Sequence, residues 1–376
     1  MAAIAIAVSF FIIIVAVAVS AGFRNVIRDG VAAMTGDVRI QPYVSGTGED
    51  PVSMPAQLPS QEKLLALPGV VGIEPVAVRA GIVKNGDIIH GVVVKGIPGQ
   101  AGNDVMAGPD RPSLSVSIPH RLSEITGLGI GDDMVTYFVG EKVRVRKFHI
   151  TAIHRDLVEV DDNLLVYANL ADIQRLNGWD EGQVSCLDVT LNEQASRKEL
   201  AGAIGHILAT SGHEQEDGLY VTSSEDSYQQ IFDWLTLLDF NVLVILVLMT
   251  VVAGFNMVSG LLIMLLRNIP TIGTLKTLGM SDGAIGRLFI RIGARAVLKG
   301  MLIGNALALL FCLVQGTTHL IPLDPANYFV SWVPVHINLL WVILADAAAF
   351  AGILALLWLP SRVVASIDPA KTVKAD

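Results

Sequence analysis

The chain is short of charge. Asp, Glu, Lys and Arg supply 16% of its 376 residues, against about a quarter in an ordinary soluble domain, while 52% of the residues are hydrophobic. The shortfall is local, which points to membrane segments rather than to one large core. Cysteine is nearly missing. Cys186 sits in a polar stretch and Cys312 in an apolar run, so neither a disulfide nor a cysteine metal site is expected. Catalytic signatures are missing too. There is no Walker A glycine loop, no HExxH pair and no GxSxG elbow, which argues against nucleotide binding by that route, zincin chemistry and a hydrolase nucleophile. We expect no enzyme activity in this chain. The net charge of −9 is also divided. Residues 22–239 carry 17 Lys+Arg and 30 Asp+Glu, and the remainder 9 and 5. An acidic half beside a basic half suggests two compartments and no nucleic-acid partner.

Long apolar runs are what the sequence does have. A bilayer core needs about 20 apolar residues as helix, and four runs meet that. Residues 2–21 contain only Ser9 and Ser20 as polar groups, 242–266 carry no charge, 296–320 carry only Lys299, and 337–359 only Asp346. The first run has a rival reading as a cleaved signal peptide, with Ala18-Val19-Ser20-Ala21 as the small-residue site. Its length and the lack of a preceding basic residue favour an uncleaved helix. That missing basic flank also leads us to expect a natural start upstream of Met1.

Basic residues in short loops set the orientation. Arg267, Lys276, Arg287, Arg291 and Arg295 follow the second run, and Arg362, Lys371 and Lys374 follow the fourth, whereas 321–336 have no Lys or Arg. The second loop and the tail are therefore expected in the cytosol and the 22–239 block outside it, in the periplasm of a Gram-negative cell. The expected fold class is an integral membrane α-helical protein with four transmembrane helices and a large extracytoplasmic α/β domain. Its parts are a first helix at 1–21, the α/β domain at 22–239 and a membrane domain at 240–376, with a cytosolic segment at 267–295. Trp341 and Trp358 lie about 25 Å apart along a helix, the spacing of two interfacial belts, and Pro360 is expected to end that helix.

Within the α/β block, residues 80–84 and 88–97 flank Asn85-Gly86-Asp87, a hairpin signal with both turn positions at positive φ. A second hairpin is expected at 134–139 and 142–153, and a strand at 187–191. Helical periodicity covers 171–176, 195–208 and 225–238, the last running straight into the second span. Residues 46–60, rich in Gly, Pro and Ser, read as a surface loop. His206, His213 and Glu214, and likewise His149, His154 and Asp156, read as ordinary polar residues rather than metal ligands. Gly127, Gly129 and Gly131 read as a tight turn between a short helix and a strand.

The segment 267–295 is the most specific. Ile272, Leu275 and Leu278 repeat as one apolar helix face after Pro270, Gly279 is placed to end that helix, and Ser281 to cap the next. Ile285, Leu288, Phe289 and Ile292 form a second face, opposite a basic stripe of Arg287, Arg291, Arg295 and Lys299. The stripe reads both as an anchor against anionic lipid and as a docking surface for a cytosolic partner, and the two are compatible. In the spans, Asp346 is costly unless paired. It is either a contact to a partner helix or substrate amine, or a neutral acid bonded within the bundle. Asn256 and Asn305 are its candidate partners, and Gly254 and Gly260 are expected to permit close helix approach.

The run Arg267-Asn268-Ile269-Pro270-Thr271-Ile272-Gly273-Thr274-Leu275-Lys276-Thr277-Leu278-Gly279-Met280-Ser281 resembles the segment after the second span of FtsX-like permeases, the membrane subunits of the ABC transporter class that includes MacB and the lipoprotein-releasing LolC and LolE. Leu359-Pro360-Ser361-Arg362 through Ile367-Asp368-Pro369-Ala370 is similar to that family's end. Phe232-Asp233-Trp234 through Gly254-Phe255-Asn256-Met257-Val258-Ser259-Gly260 resembles the lipoprotein-releasing branch, as does Ile130-Gly131-Asp132 to Ile153 followed by Glu159-Val160-Asp161. Two departures stand out. The acidic residue usual near the Ile-Gly pair is replaced by Arg267, Asn268, Pro270 and Thr271, and the amphipathic segment usual before the first span is not in this sequence.

The resemblance implies a permease that hydrolyses no ATP itself. It implies a dimer, with a second copy or a paralogue, bound to two separate ATPase subunits that carry ATP and Mg. Residues 271–279 would be the coupling helix seated on the ATPase, with Ile272, Leu275, Lys276, Leu278 and Gly279 at the contact. Motion passed through 225–238 would release a lipoprotein from the inner membrane to a soluble periplasmic carrier, a mechanism termed mechanotransmission. An efflux or peptide permease like MacB, and a signalling protein like division FtsX that activates an external hydrolase, are the alternatives.

Overall fold

The computed structural model describes residues 2–43, 51–99, 113–140, 143–155, 158, 164–192 and 195–363. The Glu159-Val160-Asp161 segment, Asp156 and the tail beyond Val363 lie outside them. In chain order, helix α1 covers Ala2–Thr35 and is followed by strands β1 (Val38–Pro42) and β2 (Met54–Pro55) and helix α2 (Gln61–Leu65). Next come β3 (Val70–Asn85), β4 (Ile88–Ile97), β5 (Ser115–Pro119), α3 (His120–Thr126), β6 (Asp133–Phe138) and β7 (Arg144–His154). They are followed by β8 (Leu164–Asn169), α4 (Leu170–Asn177), β9 (Gln183–Val184), β10 (Cys186–Leu191), α5 (Arg197–Thr210) and β11 (Leu219–Ser223). The chain closes with α6 (Ser224–Ser227), α7 (Gln229–Arg267), α8 (Ile269–Thr277), α9 (Asp282–Thr318), α10 (Pro325–Tyr328) and α11 (Leu339–Val363). Contacts divide it into two units, 1–26 with 233–324 and 330–376, and 27–232 with 325–329.

Among the described residues four helices are long and apolar enough to cross a membrane, α1, α7, α9 and α11, and most of their length lies in the first unit. Their inward residues recur every three or four positions, as a helix face requires. Ile6, Phe10, Ile13 and Ile14 of α1 meet Ala253, Met257, Leu261 and Leu265 of α7, and Ala345, Ala349, Ile353 and Leu357 of α11. Small residues set the helix spacing. A Cβ on Gly304 would fall 2.4 Å from the Ala7 carbonyl oxygen, and one on Gly254 2.3 Å from Leu356 Cδ1. Both Trp341 and Trp358 are exposed.

The helices run past the limits expected from hydropathy. α1 continues to Thr35, because Arg24, Arg28 and Asp29 interrupt the apolar run without breaking the backbone. α9 joins the amphipathic segment at 285–292 and the third span into one helix of 37 residues, since no breaker separates them. α11 passes Pro360 and ends at Val363. Proline holds φ near the helical value, and this close to the end it removes a single backbone donor.

The second unit is α/β. Nine strands follow the order β11-β1-β10-β3-β4-β8-β5-β7-β6, and β6 also pairs with β3. Six strands, β3-β4-β8-β5-β7-β6, therefore close a ring, filled by Val92, Val94, Met134, Phe138, Phe148 and Val166. β11, β1 and β10 extend the other half of β3 into an antiparallel sheet, covered by α2 and α5 through Val38, Ile40, Leu64, Val189, Ile204 and Leu208. The 16-residue β3 belongs to both halves.

The β3–β4 hairpin forms with a shifted turn. Asn85 still pairs with Ile88, so the loop is Gly86-Asp87. Only Gly86, at φ 60°, is left-handed, which is the two-residue turn with glycine first. Pairing of β6 with β7 matches Phe138 to Arg144. The helix expected over 225–238 is broken. Ser223 caps α6 through Asp226 N, 3.0 Å away, and Tyr228 leaves the helical region at φ −122°, ψ 43° before α7 begins. Serine and aspartate favour such caps over helix interiors. The described part of 46–60 is not a surface loop. Met54, Leu58 and Ser60 are buried, and Ser60 donates through its amide and hydroxyl to Glu216 at 2.7 and 2.8 Å. Burial opposes ionisation of Glu216, but hydrogen bonds from Ser211 and Ser60 outweigh it and hold its carboxyl below the usual range.

Candidate coupling site

The segment between α7 and α9 begins where Asn268 turns the chain, its side-chain amide donating to Met264 O at 2.7 Å. Pro270 lies in the first turn of α8, where its missing N–H costs nothing. At the far end Gly279 N reaches Lys276 O at 3.0 Å and Met280 N reaches Leu275 O at 3.0 Å, and Gly279 takes φ 89°. Ser281 sits at the N-cap of α9 as expected, but its hydroxyl makes no cap bond.

The residues expected at a partner contact separate here. Ile272 is 1% exposed and packs in the membrane-unit core with Leu265, Ile285 and Phe289, so it faces inward. Leu275 is half-buried. Lys276 Nζ lies 2.9 Å from Asp282 Oδ1 with its side chain 9% exposed, so it staples α8 to the first turn of α9 rather than standing free. Leu278 is 78% exposed, and Gly279 is exposed beside it. The outward face consists of Thr271, Thr274, Thr277, Leu278 and Met280. The three threonines recur at three-residue spacing along α8, outside the apolar set read from the sequence.

The basic stripe stays together. Arg287, Arg291, Arg295 and Lys299 are exposed along α9 at four-residue spacing, and among the described residues none of them forms an ion pair. Ile285, Phe289, Gly293 and Val297 are buried on another face of the helix, while Leu288 is exposed.

Of the polar residues within the spans, the structure brings two together and leaves one apart. Asn305 Nδ2 of α9 donates to Asp346 Oδ2 of α11 at 2.5 Å. The other oxygens of both groups, Asn305 Oδ1 and Asp346 Oδ1, are buried without a hydrogen-bond partner among the described residues. Asn256 does not join them; its side chain is exposed on α7. Nearer the start of α7, Asp239 accepts a hydrogen bond from Ser20 at 2.6 Å and pairs with Arg24, both on α1.

A further charged cluster, not anticipated from the sequence, fixes the end of α1 in the α/β domain. Asp188 of β10 receives Arg39 Nε at 2.8 Å and lies 2.8 Å from Lys95 Nζ. Lys95 also donates to Ala33 O and Met34 O, and Arg39 to Met34 O, at 3.0 to 3.2 Å, so two cations satisfy the last carbonyls of α1. Burial disfavours the charge on Asp188, but Lys95 and Arg39 outweigh it and hold the carboxyl below its usual range. The same burial, with Asp188 adjacent, pushes the Cys186 thiol up to about 12. Gly36, at φ 71°, turns the chain out of α1 where a Cβ would lie 2.9 Å from Asp188 Cβ. Asp37 then accepts from Arg197 and from Leu191 N at 2.7 and 2.8 Å.

The histidines go elsewhere. His149 pairs with Asp133 at 3.2 Å, and His154 is buried beside the Ser117 hydroxyl at 2.9 Å and the Tyr167 ring. Gly127 caps α3, and Gly129 N donates to Asp132 at 2.8 Å in the turn before β6. Cys186 and Cys312 are both free and buried.

Comparison with known proteins follows the two units. The family model of the MacB-like periplasmic core domain matches residues 1–207, and that of the FtsX-like permease C-terminal region matches 243–369. The lipoprotein-releasing system transmembrane protein LolE of Haemophilus influenzae is 24% identical over 99% of this chain and 93% of its own length. LolC of Neisseria meningitidis is 22% identical over 81% and 78%. Among solved structures, the periplasmic region of MacB from Actinobacillus actinomycetemcomitans aligns at 12% identity, covering 53% of this chain and 95% of that one with a TM-score of 0.32. The extracellular domain of YknZ from Gram-positive bacteria aligns at 12% identity over 50% and 99%, also at 0.32. With a MacB-like core over more than half its length and the FtsX-like region after it, this chain belongs to the FtsX/MacB-type permeases, the membrane components of ABC transporters.

Proposed function

We propose that this permease couples ATP hydrolysis by a separate cytosolic ATPase pair to movement of its α/β domain in the periplasm, and thereby releases lipoproteins from the inner membrane. The observation that carries the reading is the end-to-end similarity to LolE, which takes in the membrane helices and the α/β domain together. The outward face of α8 and its turn, with Thr271, Thr274, Leu278 and Gly279, is the docking surface for the ATPase; ATP and Mg belong to that partner. Ile272 and Lys276 serve it indirectly, by holding α8 against α9. The basic stripe at Arg287, Arg291, Arg295 and Lys299 attracts anionic lipid on the same side of the membrane.

Transmission has a physical basis at both membrane connections of the α/β domain. α1 ends in the Asp188–Arg39–Lys95 cluster, so displacement of that helix end reaches β1, β4 and β10 directly. α7 starts one residue after the break at Tyr228. The second permease, a copy or a paralogue, completes the transporter, and a soluble carrier takes the lipoprotein.

The test is co-expression with the neighbouring ATPase, purification, and measurement of ATPase stimulation by a triacylated lipoprotein and by a carrier. Stimulation together with transfer to the carrier supports the proposal. An active complex indifferent to lipoprotein overturns the cargo and favours efflux or signalling. No complex with any ATPase overturns the coupling.

A further inference from the structure

Asn305 of α9 and Asp346 of α11 each stand about 14 Å along the helix from the nearer end of their apolar runs, too deep for such short side chains to reach water. Asn305 Nδ2 donates to Asp346 Oδ2 at 2.5 Å, and the two remaining oxygens, Asn305 Oδ1 and Asp346 Oδ1, are both buried with no donor among the described residues. An ionised carboxylate can only accept hydrogen bonds. As an anion, Asp346 would leave both oxygens unmet and its own charge unanswered, a costly state inside a membrane. No cation is at hand. Lys299 is the one other Asp, Glu, Lys or Arg in the four apolar runs. It is exposed in the basic stripe, and it lies six residues before Asn305, about 9 Å along α9 and turned to another side of it. His319 and His336 lie at the outer ends of their helices. The residues of α1 and α7 in the same core, such as Phe10, Ile13, Ala253 and Met257, are apolar. Hydroxyls of those helices turn back on their own backbones, Ser9 donating to Ala5 O at 3.1 Å and Thr250 to Leu246 O at 2.7 Å.

We infer that Asp346 carries a proton on Oδ1 and donates it to Asn305 Oδ1, closing a ring of two hydrogen bonds between the acid and the amide. A primary amide and a carboxylic acid are both flat, and each presents one donor beside one acceptor. One proton therefore answers both orphan oxygens and removes the buried charge at the same time. The pair is a proton-binding site, joined while the proton stays and parted when it leaves. A neutral acid attracts no ammonium group, so Asp346 is a tie between α9 and α11 and not a receptor for a substrate amine. The proton also makes the group chemically addressable. A protonated carboxyl in hydrocarbon adds across an apolar carbodiimide, its oxygen going to the central carbon and its proton to one nitrogen. The acyl group then migrates from that oxygen to the other nitrogen and leaves a stable acylurea. The inference goes beyond the coupling proposal. It needs the membrane around the helices, and neither the ATPase nor the cargo.

The test uses the full chain in lipid vesicles at neutral pH, read by infrared spectroscopy. The parent is expected to show the carbonyl band of a protonated carboxyl, shifted by isotope-labelled aspartate and lost in Asp346→Asn. In Asn305→Leu the band is expected to persist at higher frequency, because the acid has lost its partner. A purely structural loss would not move it in that way. Replacing sodium by choline should leave the band as it is. Dicyclohexylcarbodiimide is expected to modify Asp346, read by mass spectrometry of the digested protein. The isotope shift and the adduct are both read on the parent and need no variant to fold. A parent without the protonated-acid band, a band at the same frequency in Asn305→Leu, a band that appears only when sodium is withdrawn, or modification confined to other carboxyl groups each overturns the inference. ATPase stimulation on the same vesicles separates the two proposals. Its loss with the band intact sinks the coupling alone, and its presence without the band sinks the proton alone.

Discussion

Two carboxyl groups, the buried Asp188 and the half-buried Asp346, are handled in opposite ways. Asp188, in the α/β domain, gathers two cations, and through them the carbonyls of α1. Asp346, within a membrane helix, has one amide donor and an oxygen left over. Where water is close at hand before folding, a domain tolerates a dense ionic knot at a junction. Within hydrocarbon the helices contain few polar groups, and among the described residues Asp346 is met by one hydrogen bond, from Asn305 of α9. The first arrangement fixes a helix end in three dimensions; the second ties two helices at one depth.

The sharpest way to break the contrast is Asp188→Asn. It strands Arg39 and Lys95 in the interior, and loss of one member of such a buried network costs about 3–5 kcal/mol, read by denaturant unfolding of the α/β domain. Acid should act along the same line. The folded-state carboxyl of Asp188 is depressed, so its contribution is complete above the ordinary carboxylate value of about 4 and is lost as pH falls through the lower folded value. A pH series should show this acid loss in the parent and a flatter profile in Asp188→Asn. Gly36→Ala keeps the ions but forces a Cβ into a left-handed turn against Asp188, for about 1–3 kcal/mol. Asp346→Ala should cost less, about 0.6–2 kcal/mol, the range for a polar contact between membrane helices, with Asp346→Asn nearer the parent in detergent unfolding. The smallest effect on stability, within about 0.5 kcal/mol, belongs to Leu278→Ala. Its exposed side chain supports no core, yet it should uncouple ATPase stimulation.

The membrane helices were legible in the sequence because twenty apolar residues in a row admit few other structures. Their ends were less so. Hydropathy stops at Arg24, whereas the α1 backbone continues to Thr35, since helical hydrogen bonding is indifferent to which side chains are charged. The β3–β4 hairpin was legible from Asn85-Gly86-Asp87, although which two residues turn depends on pairing that only the ring of strands decides. The Asp188 cluster was not legible. Arg39, Lys95 and Asp188 are far apart in sequence, and each alone resembles a solvated surface charge. At the coupling segment, periodicity found the helix and its apolar face, of which Ile272 is buried and Leu275 half-buried while Leu278 and Gly279 stay exposed. A face apolar enough to be noticed is also the face that the bundle itself buries, as Ile272 shows.

The shared strand β3 carries one more consequence. Its first half pairs with β10 and its second with β4 and β6, so sheet and ring are two portions of a single extended backbone. A polypeptide in that state is nearly inextensible. Tension applied at the sheet therefore arrives at the ring undiminished, as it would along a taut cord, with no intervening loop to absorb the slack.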